Sequence, residues 1–272
     1  MNIIPAIGAY SPTIRSRLIL GLLAILLGLT LIACSEADKS HTLSTDITDK
    51  ELRDYLLEHP EFILDNPEIL NAINQARSLR HQEASALRRI SVLADQADLL
   101  NSSLTPATGD PQPVVTVIEF YDYQCIPCKA SYPELEQMRA AETDIRILYA
   151  QLPVFGSHSI LAARGAIAAQ RQGLFEAYHH ALMTAKTRLN MDSIVTMAAE
   201  VGLDIDQLQT DMRDPEVIDY LEAMRLLADD LEVTGTPAFI VGDAILRGGI
   251  TVKELKTELE RQRARHKPLT AS

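Results

Sequence analysis

The stretch from Glu119 to Lys129 constrains this chain more than any other: Glu-Phe-Tyr-Asp-Tyr-Gln leads into Cys125-Ile126-Pro127-Cys128-Lys129. The apolar run from Pro113 to Phe120 reads as a buried strand, and the residues after Cys125 have helical spacing. The cysteine pair therefore sits at a strand-to-helix junction. A helix N-terminus presents unpaired N–H groups and the positive end of a dipole, which favour the thiolate at the first cysteine. Two intervening residues let the second sulfur reach back and close a disulfide with the first. Cys125 and Cys128 form a candidate reversible redox couple.

The same C-x-x-C spacing is half of a zinc site, which needs four ligands. The only other cysteine is Cys34, far upstream, and the seven histidines show no ligand spacing that completes a site. No metal or other cofactor is expected. Two further features favour thiol exchange. One is an acid, Glu119, on the strand before Cys125; the other is the Thr236-Pro237 step, flanked by Gly235 and the apolar run Ala238 to Val241.

Glu119-Phe120 before the C-x-x-C, Val233-Thr234-Gly235-Thr236-Pro237 before a late strand, and a long helical stretch between them resemble the DsbA family of thioredoxin-fold proteins. So do Gly109-Asp110-Pro111 ahead of the first strand and Pro153-Val154-Phe155-Gly156 followed by Ala162-Ala163-Arg164. The resemblance covers about Pro106 to Arg263. Upstream, Tyr55-Leu56-Leu57-Glu58-His59-Pro60-Glu61 resembles the N-terminal segment of the suppressor-of-copper-sensitivity C (ScsC) branch. The fold implied is α/β: a thioredoxin fold with an inserted helical domain, preceded by an N-terminal helical arm.

The charge balance is acidic, with 25 Lys and Arg against 37 Asp and Glu, and no basic cluster is long enough to track phosphates. Nucleic acid is not expected as a partner. At the N-terminus, Arg15 and Arg17 precede an apolar run from Leu18 to Ala33, the pattern of a secretory signal. An uncleaved membrane anchor is the alternative, although the run falls short of the ~20 residues that span comfortably. Leu31-Ile32-Ala33-Cys34 resembles the lipobox of bacterial lipoproteins, which implies cleavage before Cys34 and its acylation. Localisation in the cell envelope follows, lipid-anchored and facing the periplasm. Cys125 and Cys128 would then be the only thiols, used for exchange rather than for stapling.

Residues 1–33 read as signal and 34–45 as a polar tether. Thr48 to Glu51 fits a capping box opening a short helix that stops near His59-Pro60, and Asn66-Pro67 is a second helix start. From there to about Leu100 no proline or glycine intervenes, and Ile69, Ile73, Ala76, Leu87, Ile90, Ala94 and Ala97 make a heptad-like stripe that Arg80 and Glu83 interrupt. Residues 46–104 thus read as an oligomerisation arm, or alternatively as a bent pair of helices folded back on its own domain. The arm makes a homo-oligomer the expected state. Asn101 to Pro113 reads as a linker into a domain spanning 105–272. That domain has strands at 114–120 and 145–152 around the C-x-x-C helix, a helical insertion at about 157–231, a hairpin around Gly242-Asp243 and a closing helix.

Cys125 is the expected nucleophile, at the exposed helix start, and Cys128 one turn inside resolves the mixed disulfide. The resemblance implies that Glu119 is a buried acid relaying a proton for Cys128, the alternative being a strand-edge carboxylate facing water. It implies that Pro237 is a cis-proline leaving the Thr236 backbone free to pair with substrate, the alternative being an ordinary trans turn. His179 and His180 read as surface or packing residues. Family members that oxidise strongly carry a histidine between the cysteines; Ile126 and Pro127 stand there instead, so the couple should be less oxidising. The expected function is disulfide exchange with cysteine-containing envelope proteins, as isomerase, reductase or oxidase, recycled by a membrane redox partner. A copper-handling protein binding Cu(I) through the paired thiolates and a structural lipoprotein are the competing readings.

Overall fold

The computed structural model describes residues 48–249 and 251–266. The expected signal, Cys34 and the tether lie outside the described residues. The chain divides into two compact units, with the boundary after Asn66. In the first, α1 (Asp49–Glu58) starts from a capping box: Thr48 Oγ1 accepts from the Glu51 N–H, and the Glu51 carboxylate accepts from the Thr48 N–H. A one-turn helix, α2 (Glu61–Leu64), follows Pro60, and Phe62 meets Tyr55 edge-on. No described residue of this unit is buried.

The second unit opens with α3 (Pro67–Asp95), whose 29 residues run about 44 Å at 1.5 Å per residue, and continues through a break at Gln96 into α4 (Ala97–Leu100). The face of α3 that docks on its own domain is not the apolar stripe. Arg89 is buried and donates from Nε to the Asp243 carbonyl at 2.9 Å, while Val92, Leu93, Leu99 and Leu100 pack into the core. Ala76, Leu87, Ile90, Ala94 and Ala97 of the stripe stay exposed. Where the sequence suggests a boundary at residue 104, the compact unit begins at Pro67, and Val92 and Leu93 near the end of α3 join the same core cluster as Leu100 and Leu104. The expected linker also contains a strand, β1 (Ala107–Gly109), too short to carry any periodicity.

The sheet has five strands in the order β1-β3-β2-β4-β5. The parallel pair β2 (Val115–Tyr121) and β3 (Ile145–Gln151) is connected through α5 (Ile126–Ala141). The inserted block supplies α6 (Ser157–Arg171), α7 (Phe175–Thr184), α8 (Met191–Glu200), α9 (Ile205–Asp211) and α10 (Pro215–Asp230), the last capped by Asp214. β4 (Ala238–Val241) runs antiparallel to β2 and turns into β5 (Ala244–Arg247) through Gly242 at φ +58°, and α11 (Val252–His266) closes the chain.

Strand alternation divides the core in two. Val115, Val117 and Tyr121 of β2 face one cluster together with Tyr149 of β3, Phe239 of β4 and the cysteines; Ile118 and Phe120 face the other, beneath α10. Glu119 belongs by register to the first face. It lies directly between Tyr149 and Phe239, in the middle of the sheet and beneath α5.

Candidate redox site

Cys125 is the N-cap of α5, with φ −73° and ψ 113°, and its Sγ accepts from the Cys128 N–H at 3.3 Å. Pro127 falls in the first turn, where a missing N–H costs nothing. The chain enters the helix through a tight turn in which the Cys125 N–H donates to the Asp122 carbonyl at 3.1 Å. Contrary to the exposed position expected of it, Cys125 is only 1 % exposed, and Cys128 is fully buried. The Thr236-Pro237 loop closes over the sulfur: the Cys125 thiol donates to the Thr236 carbonyl at 3.3 Å, and the peptide bond before Pro237 is cis. The exposed group at the rim is Ile126, at 80 %.

Both cysteines are free thiols with opposite tendencies. Hydrogen bonding from the Cys128 thiol, joined by the Thr236 side chain and the Cys128 N–H, lowers the Cys125 pKa to about 6. Cys128 is pushed well up, first because its proton is shared with the Cys125 sulfur and then by burial. The Thr236 hydroxyl, buried and without a partner among the described residues, is free to turn toward a thiolate. Lys129 adds no counter-charge at the sulfurs. Its ammonium donates to the carbonyls of Leu182 and Ala185 at 2.9 and 2.7 Å, tying α5 to the end of α7.

Glu119 is 1 % exposed and neither carboxyl oxygen has a hydrogen-bond partner among the described residues. Burial raises its pKa to about 8, with the charges of Glu136 and Cys125 adding to the effect. A strand-edge carboxylate facing water is thereby ruled out.

Three features escape the sequence. Asp122, buried at the strand exit, accepts from the Gln124 N–H at 2.6 Å, the Ser159 hydroxyl at 2.8 Å, and the N–H groups of Val154 at 2.7 Å and Phe155 at 3.2 Å. It fixes the loop carrying the half-exposed Val154 and Phe155 beside the turn into the cysteines. Gln151, paired across the sheet with Tyr121, is buried with both amide atoms unpartnered among the described residues. His179 lies inside an aromatic cluster with Tyr121, Tyr123, Tyr132, Tyr149 and Phe175, whereas His180 is exposed. No local signal announces these contacts, since apart from the Asp122–Gln124 bond most of them join residues tens of positions apart. Among the described residues no group of three or more His, Cys, Asp or Glu side chains is placed to hold a metal ion.

The family described as the DSBA-like thioredoxin domain matches residues 116–260, more than half of the chain and all of the site. The chain belongs to this family. A thioredoxin-like oxidoreductase from Silicibacter pomeroyi DSS-3 is 39 % identical, with a TM-score of 0.59, covering 61 % of this chain and 97 % of that one. The thiol-disulfide exchange protein alpha-DsbA2 from Wolbachia pipientis is 25 % identical at TM-score 0.60, covering 65 % and 97 %. ScsC from Proteus mirabilis in a transitional conformation is 26 % identical at TM-score 0.58 and covers 79 % of this chain and 97 % of its own. The ScsC-like resemblance thus extends upstream of the DsbA-like domain. The chain spans about a quarter of the length of the curated relatives it matches, Na+/H+ antiporters NhaA; that of Herminiimonas arsenicoxydans is 29 % identical over 156 residues, 57 % of this chain and 25 % of the antiporter. Thiol-disulfide exchange is the chemistry of the DsbA-like domain, and the thioredoxin fold with a helical insertion is its architecture.

Proposed function

We propose that the protein is an exported thiol-disulfide exchange enzyme in which Cys125 attacks, Cys128 resolves and Glu119 moves the proton. The observation that carries this reading is the asymmetry of the pair: one sulfur caps a helix, accepts from the Cys128 N–H and has a depressed pKa, while its neighbour is a protonated thiol over a buried acid. Cys125 thiolate attacks a substrate disulfide and releases one substrate thiolate. Cys128 gives its proton to Glu119 in the ionised form of that acid, attacks Cys125 Sγ and expels the second substrate sulfur as a thiolate, so that two electrons pass from the cysteine pair to the substrate and Cys125–Cys128 is left as a disulfide. The reverse sequence oxidises a dithiol. Partners are cysteine-containing envelope proteins and a membrane redox protein that resets the couple.

We further propose that α3 joins copies of this chain, which supports isomerase action by holding several cysteine pairs around one misfolded substrate. The support is the exposed stripe, with Leu87 69 % and Ile90 50 % exposed on a helix already docked by its other face. No described helix is long and apolar enough to cross a membrane; acylation at Cys34 remains the proposed anchor.

The test is trapping. A Cys128→Ser variant is expected to accumulate mixed disulfides with substrate through Cys125, and Cys125→Ser to accumulate none. Mixed disulfides formed through Cys128 in the Cys125→Ser variant would overturn the assignment.

A further inference from the structure

Arg89, on the face of α3 that docks on the domain, is a buried cation without a counter-ion. It is only 8 % exposed and its Nε donates to a neutral group, the Asp243 carbonyl; neither Nη has a hydrogen-bond partner among the described residues, and no described carboxylate forms an ion pair with it. Burial lowers its pKa; the charges of Glu232 and Asp243 work against that shift, and the like charge of Arg247 adds to it. Arg247, on β5, borders the same cleft, which opens between α3, the β4–β5 turn and Arg261 of α11 and measures about 710 Å³. It donates from Nη2 to the Glu232 carbonyl at 2.9 Å and likewise has no ion-pair partner among the described residues.

Two of the acids at the cleft are committed to other arginines. Asp243 pairs with Arg261 at 2.6 Å and with Arg265 at 2.7 Å, and Glu232 lies 4.0 Å from Arg88. Glu83, exposed on the α3 wall, is the third. Five arginines thus stand against three carboxylates, and the surplus falls on Arg89 and Arg247. We infer that Arg89 and Arg247 together bind a phosphate group in this cleft. A carboxylate has two oxygens, enough for one guanidinium fork, whereas a phosphate has acceptors for forks arriving from two elements. The cleft is far larger than the ion, so the phosphate can carry a substituent. Inorganic phosphate, a phosphomonoester and the headgroup of an anionic lipid share this chemistry.

Docking α3 on the domain does not by itself call for this arrangement. A glutamine would reach the Asp243 carbonyl without placing a desolvated cation beside Arg247. An anion held between the two offsets both the desolvation of Arg89 and its repulsion from Arg247, and it joins the end of the long helix to β5. The cleft stands apart from the sulfurs. β4 starts at the Pro237 loop over Cys125 and runs its full length before the chain turns at Asp243. Phosphate binding therefore goes beyond the exchange reading and does not depend on it.

Phosphorus NMR of inorganic phosphate titrated with the full chain, in a chloride buffer free of other oxyanions, tests the site. Saturable binding of one phosphate per chain is expected. Arg247→Gln should weaken it roughly tenfold or more, and Arg89→Gln at least as much, each removing charged donors from the anion. Arg225→Gln, at an arginine already paired with Glu222 and Asp229, should leave it unchanged. Arg247 is exposed, so its variant decides the matter even where Arg89→Gln fails to fold. Dihexanoylphosphatidylglycerol below its micellar concentration then distinguishes the sources. Displacement of phosphate by this lipid assigns the site to a headgroup, and no displacement assigns it to free phosphate or a phosphomonoester; either result upholds the site. A wild-type chain that shows no saturable phosphate binding, or binding that Arg247→Gln weakens no more than Arg225→Gln does, overturns the inference.

Discussion

The sheet face under the cysteines and the long helix α3 handle their apolar and polar groups in opposite ways. Around Glu119, apolar and aromatic side chains are buried to within a few per cent and the exceptional group is a buried carboxyl without a hydrogen-bond partner among the described residues. Along α3 the exceptional group is apolar: Leu79, Leu87 and Ile90 remain in solvent, while a charged residue, Arg89, is the one taken into the core. A buried acid with no partner costs stability and is explained by chemistry; an exposed apolar stripe is explained by a surface that meets something. The first region is complete within one chain. The second is completed, on the reading proposed here, by further copies of it.

The comparison is broken most severely by removing the stripe. Deleting residues 48–84, which removes the first half of the stripe, together with Leu87→Asp and Ile90→Asp in the half that remains, is expected to convert an oligomer to a monomer in sedimentation velocity at micromolar concentration. The dithiol reaction should survive and the refolding of scrambled substrate should be largely lost. A deletion continued to residue 104 would also remove Arg89, Leu100 and Leu104 from the core and confound assembly with unfolding. Full-length protein that sediments as a monomer would refute the role assigned to the arm.

A smaller effect sharpens the other side. Glu119 has a folded pKa of about 8 against an ordinary 4.5, so the fold favours its protonated form. The stability this group contributes is fully present below pH 4.5 and is lost as pH rises through 8, because the unfolded chain ionises first. Glu119→Gln should therefore be no more stable than wild type at pH 4 and more stable at pH 8, the gap approaching on the order of 5 kcal/mol at ~1.4 kcal/mol per pKa unit. Denaturant melts at the two pH values measure it, and equal gaps at both would refute the buried neutral acid. The variant should resolve mixed disulfides slowly throughout.

The smallest effect marks the point where arm becomes core. Arg89→Ala loses the hydrogen bond to the Asp243 carbonyl and is expected to cost about 1–3 kcal/mol, whereas Arg80→Ala, on the exposed part of the same helix, should stay within about 0.5 kcal/mol. Thermal melts of the two variants decide whether the end of α3 belongs to the catalytic unit.

How much of this was legible in the sequence depends on whether the signal is local. The strand, the C-x-x-C helix, the Asp214 cap of α10 and the hairpin at Gly242 are written in neighbouring residues, and the expected ranges agree with the observed ones to within a residue or two at most ends. The Thr48 capping box is local as well. β1 leaves no trace because three residues hold no period, and the docking of the end of α3 is hidden because its buried residue is an arginine while the apolar stripe lies on the exposed face. At the site, the sequence singled out both cysteines, Glu119, Thr236 and Pro237, but it suggested an exposed Cys125. A loop arriving from Thr236, more than a hundred positions downstream, is what covers that sulfur. The Asp122 clamp and the aromatic cluster around His179 are likewise products of tertiary packing, invisible to periodicity.

The central claim is that the two sulfurs are unequal, with Cys125 held as the ready thiolate. Iodoacetamide alkylation of the reduced protein, followed from pH 4 to 9 by mass spectrometry of the Cys125 peptide, tests it most directly. The rate at Cys125 should rise through a midpoint near 6, set by hydrogen bonds from Cys128 and Thr236, with Cys128 unmodified over the same range. A midpoint near the ~8.5 of a free thiol, or equal modification of both cysteines, would contradict it.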